Sequence, residues 1–330
     1  MCKKILAAML ALVLALAMGT AALAEGEPLS SDPASYEAVI KTYSLTGATD
    51  AALYPAETLN FISTPAQDNP DTTNLTVDPL AVTGNANQKL TINVPSFTKV
   101  GLYHFTIAET AGATQGVTYT SDTVAVSVLV AYNYDEGKLD ATVGVTQIND
   151  GKKDTFTNAY GVGHLTVDKT VSGNLAKKDQ PFTLHVTFAS DKAVLSPITY
   201  GGNQTITPAD WTQSGNGWTV ARDIELAADG AVVTFANIPA GVTYTVAEDA
   251  KHTAADPNGS DGSKGYTVTY TGEQGAIAAN ATAAAVVNNH KSAVVDTGVS
   301  LDNLPYVLLL ALAVVGLGVF VARKRLARER

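Results

Sequence analysis

"LTVDKTVSG", Leu165 to Gly173, reads as a β-strand that carries a lysine on its apolar face. Alternate residues of a strand share a face. Leu165, Val167 and Val171 are apolar and of one parity, and Lys169 has that same parity. His164, Thr166, Asp168 and Thr170 are polar and of the other. A strand-end lysine can snorkel to water. The case is stronger when the same pattern occurs twice.

It does occur twice. "IKTYSLTG" begins at Ile40 and "DKTVSGN" at Asp168; both contain Lys-Thr-x-Ser, with the lysines 128 residues apart. "YHFTIAETA" and "YTVAEDA" follow their lysines at comparable intervals. "TFTNAY" (155–160) closes the first copy and "AVVNNHK" (285–291) the second. The body is therefore a tandem repeat joined near Gly161-Val162-Gly163. Alternating runs such as "KLTINV", "VAVSVLVAY", "FTLHVTFA" and "YTVTYTG" are punctuated by Gly, Pro, Asn and Asp clusters. Short alternating strands between turns predict an all-β fold of two tandem immunoglobulin-like β-sandwich domains.

Each copy offers three polar residues at inward parity. In the first, Lys41 shares a face with Val39, Tyr43 and Leu45; Glu109 with Tyr103, Phe105 and Ile107; Asn158 with Phe156 and Tyr160. In the second, Lys169 goes with Val167, Glu248 with Val242, Tyr244 and Val246, and Asn288 with Val286. Buried charges normally pair or change protonation state. Apolar burial favours the neutral amine of a lysine and the neutral acid of a glutamate. Such an acid can donate to an asparagine carboxamide while the amine attacks its carbon and ammonia leaves. The product would be a Lys–Asn isopeptide bond.

The two ends are equally readable. "MCKKILAAMLALVLALAMGTAALAEG" has a basic start at Lys3 and Lys4, an apolar run, and Ala22-Leu23-Ala24, which predicts a signal peptide over 1–24. Cys2, the one cysteine of the chain, lies inside it, so the exported part has no disulfide to staple it. Pro305 to Ala322 is an uncharged run long enough to span a bilayer. The basic tail that follows (323–330) predicts a cytoplasmic end and an extracellular body. Residues 25–297 hold 14 Lys and Arg against 29 Asp and Glu, a net charge of −15, which argues against nucleic acid as a partner.

Taken together, the chain resembles a Gram-positive major (backbone) pilin subunit of the streptococcal shaft type. The resemblance rests on the paired Lys…Glu…Asn order, on "FTNAYGVGHLTVDKTVSG" at the junction, and on the C-terminal signal. It implies pilin (Cna-B-like) domains over 25–161 and 162–292, and a sorting signal over 293–330. It also implies cross-links Lys41–Asn158 and Lys169–Asn288, with Glu109 and Glu248 as catalysts. "VVNN" departs from the usual Phe-Thr-Asn of the family, so Asn289 stays open as the alternative partner of Lys169.

"VVDTG" (294–298) resembles a sortase pentapeptide, with cleavage between Thr297 and Gly298. Asp296 stands where pilins of this type usually have proline. Lys152 or Lys153 in "NDGKKDTFTN" is the candidate acceptor of the intersubunit bond, although neither sits in a Tyr-Pro-Lys motif. The partners implied are a pilin-type and a housekeeping sortase, copies of the same chain, minor pilins and peptidoglycan, with the membrane involved only before sorting. The alternatives are a monomeric sortase-anchored adhesin or stalk, and a single-span surface receptor that keeps its tail. The resemblance implies no cofactor and no turnover enzyme. No metal site is read either: the five histidines are scattered, and "DPNGSDGSKG" puts Asp261 where an EF-hand loop needs glycine.

Overall fold

The computed structural model describes residues 29–47, 54–82, 87–146, 154–226, 229–251, 265–292 and 304–326. The first sandwich contains β1 (Ala34–Thr46), β2 (Glu57–Pro65), β3 (Thr76–Val77), β4 (Leu80–Val82) and β5 (Gln88–Val94). It continues with β6 (Gly101–Thr110), β7 (Val117–Thr118), β8 (Thr123–Asn133), β9 (Lys138–Thr146) and the opening half of β10 (Thr155–Ser172). The second begins with the rest of β10, then β11 (Phe182–Ser190), β12 (Ile198–Tyr200), β13 (Gln204–Ile206), β14 (Thr212–Ser214) and β15 (Gly217–Leu226). It ends with β16 (Ala231–Pro239), β17 (Thr243–Glu248), β18 (Thr267–Thr271), β19 (Gln274–Ala276) and β20 (Thr282–His290). The all-β expectation therefore holds. A separate helix, α1 (Leu304–Leu326), is long and apolar enough to cross a membrane and ends on Arg323, Lys324 and Arg325.

In each domain two sheets face one another. In the first, β10–β1–β5–β3 lies opposite β4–β2–β6–β8–β9. In the second, β13–β12–β16–β10–β20–β18 lies opposite β14–β15–β11–β17–β19. The first and last strands of each domain are parallel neighbours: β1 beside β10, and β10 beside β20. That pairing brings residues far apart in sequence onto adjacent rungs.

The eighteen-residue strand β10 serves two cores. Before the junction its even residues are buried: Phe156, Asn158, Tyr160 and Val162. After it the odd residues are buried: Gly163, Leu165, Val167, Lys169 and Val171. The side-chain period of a strand is two, so this switch needs an irregularity. The ladder to β16 shifts register between Gly163 and Leu165. Gly163 itself is packed so closely that a Cβ there would stand 2.3 Å from the Ala278 carbonyl oxygen. Only glycine allows that approach.

Contacts beyond β10 hold the domains together. The Gln115 side chain donates to the Ala240 carbonyl at 2.5 Å and accepts from the Ser190 hydroxyl at 3.0 Å. The Gln115 backbone N–H donates to the Ala193 carbonyl at 2.9 Å.

Candidate functional site

Lys41 lies in the middle of β1 and Asn158 near the start of β10, and both point into the first core. A leucine or isoleucine at either place would gain roughly 1.5–3 kcal/mol from burial. An ammonium instead loses its hydration there. Lys41 is nevertheless 1% exposed and Lys169 fully buried. Neither is explained by packing.

Glu109 reaches the same point from the facing sheet, at the end of β6. Its Oε2 stands 2.9 Å from Lys41 Nζ, with both side chains buried. Its Oε1 accepts from Asn158 Nδ2 at 2.6 Å. One carboxyl group thus bridges an amine and a carboxamide nitrogen. The carboxamide oxygen of Asn158 accepts from the Thr120 backbone N–H at 2.9 Å. Burial holds the Lys41 ammonium below the usual lysine value, opposed by its hydrogen bond and charge interaction with Glu109. Tyr43, on the next inward rung, lies 5.1 Å from Lys41 Nζ at its ring centre.

The second core repeats the arrangement. Glu248, on β17, has Oε2 3.5 Å from Lys169 Nζ. Its Oε1 accepts from Nδ2 of Asn289 at 2.6 Å. Lys169 Nζ also lies 4.4 Å from the centre of the Phe182 ring and donates to the carbonyls of Thr170 and Val287. Burial lowers the Lys169 pKa, against the raising effect of Glu248.

The asparagine of the second site corrects the first choice made from the sequence. Asn289 is buried, whereas Asn288 faces away and its oxygen accepts from the Thr170 and Ser172 hydroxyls. In the "AAAVVNN" run, apolar residues occupy both parities, so alternation could not decide the face. The ladders decide it. Lys41 pairs with Phe156, and Asn158 lies two residues beyond. Lys169 pairs with Val287, and Asn289 lies two residues beyond. Both sites have the same offset across a parallel ladder.

The remaining sequence candidates, Lys152, Lys153, Thr297 and Gly298, lie outside the described residues, as do the signal peptide and Asp296. Among the described residues no group of His, Cys, Asp and Glu could hold a metal ion. Two contributors escaped the sequence reading. A backbone donor such as Thr120 N–H has no sequence signature. Tyr43 was visible as an inward residue but looked like core.

Residues 42–161 match the Spy0128-like isopeptide containing domain, and residues 163–291 match a domain of unknown function, DUF7601. A curated protein described as a pilin, from Streptococcus pyogenes, is 27% identical over a 244-residue alignment that covers 69% of this chain and 69% of that one. A variant of the major pilin from Streptococcus pyogenes has a similar fold, with a TM-score of 0.50 and 18% identity, covering 81% of this chain and 100% of that one. A further major pilin protein from the same organism gives 0.50 and 18%, covering 79% and 99%. The fold and these matches support a Gram-positive pilin subunit. The match to the Spy0128-like isopeptide containing domain covers residues 42–161 of it.

Proposed function

We propose that this chain is the structural subunit of a covalently polymerised pilus shaft, and that each domain ties its first strand to its last by a self-formed isopeptide bond. The observation that carries the reading is the pair of buried Lys–Glu–Asn sites, Lys41–Glu109–Asn158 and Lys169–Glu248–Asn289. In each, lysine Nζ attacks the asparagine Cγ. The Nζ–Cγ bond forms and the Cγ–Nδ2 bond breaks. A proton from the amine reaches the leaving nitrogen, which departs as ammonia. Glu109, with one oxygen near each nitrogen, is placed to carry that proton. The chemistry happens once per bond and needs no cofactor.

With the body outside the cell, α1 and its basic end hold the chain in the membrane until a sortase cleaves between Thr297 and Gly298. The sortase cysteine takes the Thr297 acyl group as a thioester, releasing the amine of Gly298. The lysine amine of Lys152 or Lys153 in another copy then displaces the thiol; on the basal subunit an amine of peptidoglycan does so instead. Denaturing gels of wall extracts test the assembly. A detergent-resistant ladder is expected, lost when Lys152 and Lys153 are both changed to alanine, with wall-linked monomer retained. A ladder from that double variant would place the acceptor elsewhere.

A further inference from the structure

The stretch from Glu109 to Thr120 begins and ends at the Asn158 carboxamide. Glu109 Oε1 accepts from Nδ2 at 2.6 Å, and the Thr120 backbone N–H donates to Oδ1 at 2.9 Å. When an amine attacks Cγ, negative charge develops on that oxygen, and a donor already fixed there stabilises the transition state. Glu109 faces the two nitrogens, so the oxygen is left to Thr120.

The loop that carries Thr120 is docked on the second domain. Gln115 makes three hydrogen bonds across the junction. Its Nε2 donates to the Ala240 carbonyl at 2.5 Å, its Oε1 accepts from the Ser190 hydroxyl at 3.0 Å, and its backbone N–H donates to the Ala193 carbonyl at 2.9 Å. Thr114 forms a bridge with Ala193. Gly116 lies so close to the junction that a Cβ there would stand 3.0 Å from Pro239 Cβ. From these residues the loop is tied forward to the site. The Thr114 backbone N–H donates to the Tyr119 hydroxyl at 3.2 Å. The hydroxyls of Thr114 and Tyr119 both donate to Glu57 Oε2, at 2.8 and 2.6 Å. β7 pairs with β10 at Tyr160 and Ala159, the residues next to Asn158. A continuous set of hydrogen bonds thus leads from the second domain to the Asn158 oxygen. At the second site Asn289 Oδ1 has no hydrogen-bond partner among the described residues.

We propose that Gln115 is a positioning residue for the first domain's cross-link. Docked on the second domain, it holds the Thr120 N–H against the Asn158 oxygen, so the first domain reacts at full rate only with the second folded beside it. The first domain is synthesised first, and this dependence delays its bond until its neighbour is in place. The proposal rests on the isopeptide reading above. It adds no reactant: the bonds made and broken are those already given, and the Thr120 N–H keeps its proton throughout.

The test is a time course. The full chain is made by cell-free synthesis in detergent, quenched in acid at intervals and digested. The cross-linked peptide of each domain is then quantified by mass spectrometry. Gln115→Met keeps the side-chain volume and removes both side-chain bonds to the second domain. The first-domain bond should then form at least about tenfold more slowly, short of the roughly hundredfold or greater loss expected when such a donor is removed outright. Ser190→Ala removes one of those bonds from the other domain and should slow the same reaction about threefold, the scale of one hydrogen bond. The second-domain bond should keep its wild-type rate in both variants. Unchanged first-domain rates would overturn the proposal, and so would equal slowing in the two domains. Thermal unfolding of Lys41→Ala, with and without Gln115→Met, separates positioning from folding. Equal midpoints with a slowed bond support positioning. A loss of folding that accounts for the slowing overturns it. Wild-type protein that forms neither bond would instead sink the isopeptide reading.

Discussion

Asn289 donates to Glu248 across the second sandwich at 2.6 Å, the same length as the Asn158–Glu109 bond in the first. The neighbouring Asn288 bonds to Thr170 and Ser172 on the outer face. A difference of one residue along β20 therefore separates a buried carboxamide beside Glu248 from a surface one. In intact-mass measurement the wild-type chain should weigh two ammonias less than its sequence. Asn289→Ala should lose only one ammonia, and Asn288→Ala should still lose two. The reverse pattern would return the cross-link to Asn288.

Removing the bridging carboxyl should stop the reaction one domain at a time. Glu109→Ala and Glu248→Ala should each retain one ammonia, and the double variant both. Loss of both bonds from a single glutamate change would show that the two sites do not act independently.

The pH dependence follows from burial of the lysines. Both have pKa values lowered from 10.5, chiefly by desolvation. Attack needs the neutral amine, so bond formation should accelerate with pH and level off below 10.5. Before reaction, the unfolded chain binds more protons than the folded one between the lowered value and 10.5. The stability of an unlinked variant should therefore rise with pH across that window. Above 10.0 the buried tyrosines, whose values are raised, oppose the trend. Denaturant titrations of Asn158→Ala/Asn289→Ala below pH 10 would show the rise. A midpoint that falls with pH would contradict it.

Each proposed cross-link would close a loop of more than a hundred residues. In the chain-entropy picture developed for disulfides, such closure stabilises by roughly 4–5 kcal/mol. Lys169→Ala also empties part of the second core. The cleaner comparison is Glu248→Gln, which blocks proton transfer and keeps the volume. That variant should unfold its second domain at markedly lower denaturant, under reducing and non-reducing conditions alike. Equal midpoints for it and the wild type would argue against a covalent tie.

Tension should pass through a short path. It would enter at Lys41, cross to Asn158, follow β10 to Lys169, cross to Asn289 and leave. The backbone between the two bonds is already extended strand. Single-molecule pulling from the two ends should give very little lengthening in the wild type. Lys41→Ala and Lys169→Ala should each release one domain. Full unravelling of wild-type protein would rule out this path.

Local pattern in the sequence carried the strands, the repeat and the inward lysines, because a period of two is written residue by residue. It carried Lys41, Glu109 and Asn158 because each shares its parity with a run of large apolar residues. It did not carry Asn289, because Ala284, Ala285, Val286 and Val287 are apolar on both faces of β20. Only pairing with β10 orients that strand. Nor could it show that a single strand, β10, makes the change of inward parity between Tyr160 and Leu165, which depends on how closely Gly163 approaches Ala278. The same holds for Tyr43 and Thr120, whose partners come from other strands and loops. Alternation says which side chains point inward; which inward groups meet is decided by register and by the stacking of one sheet on the other.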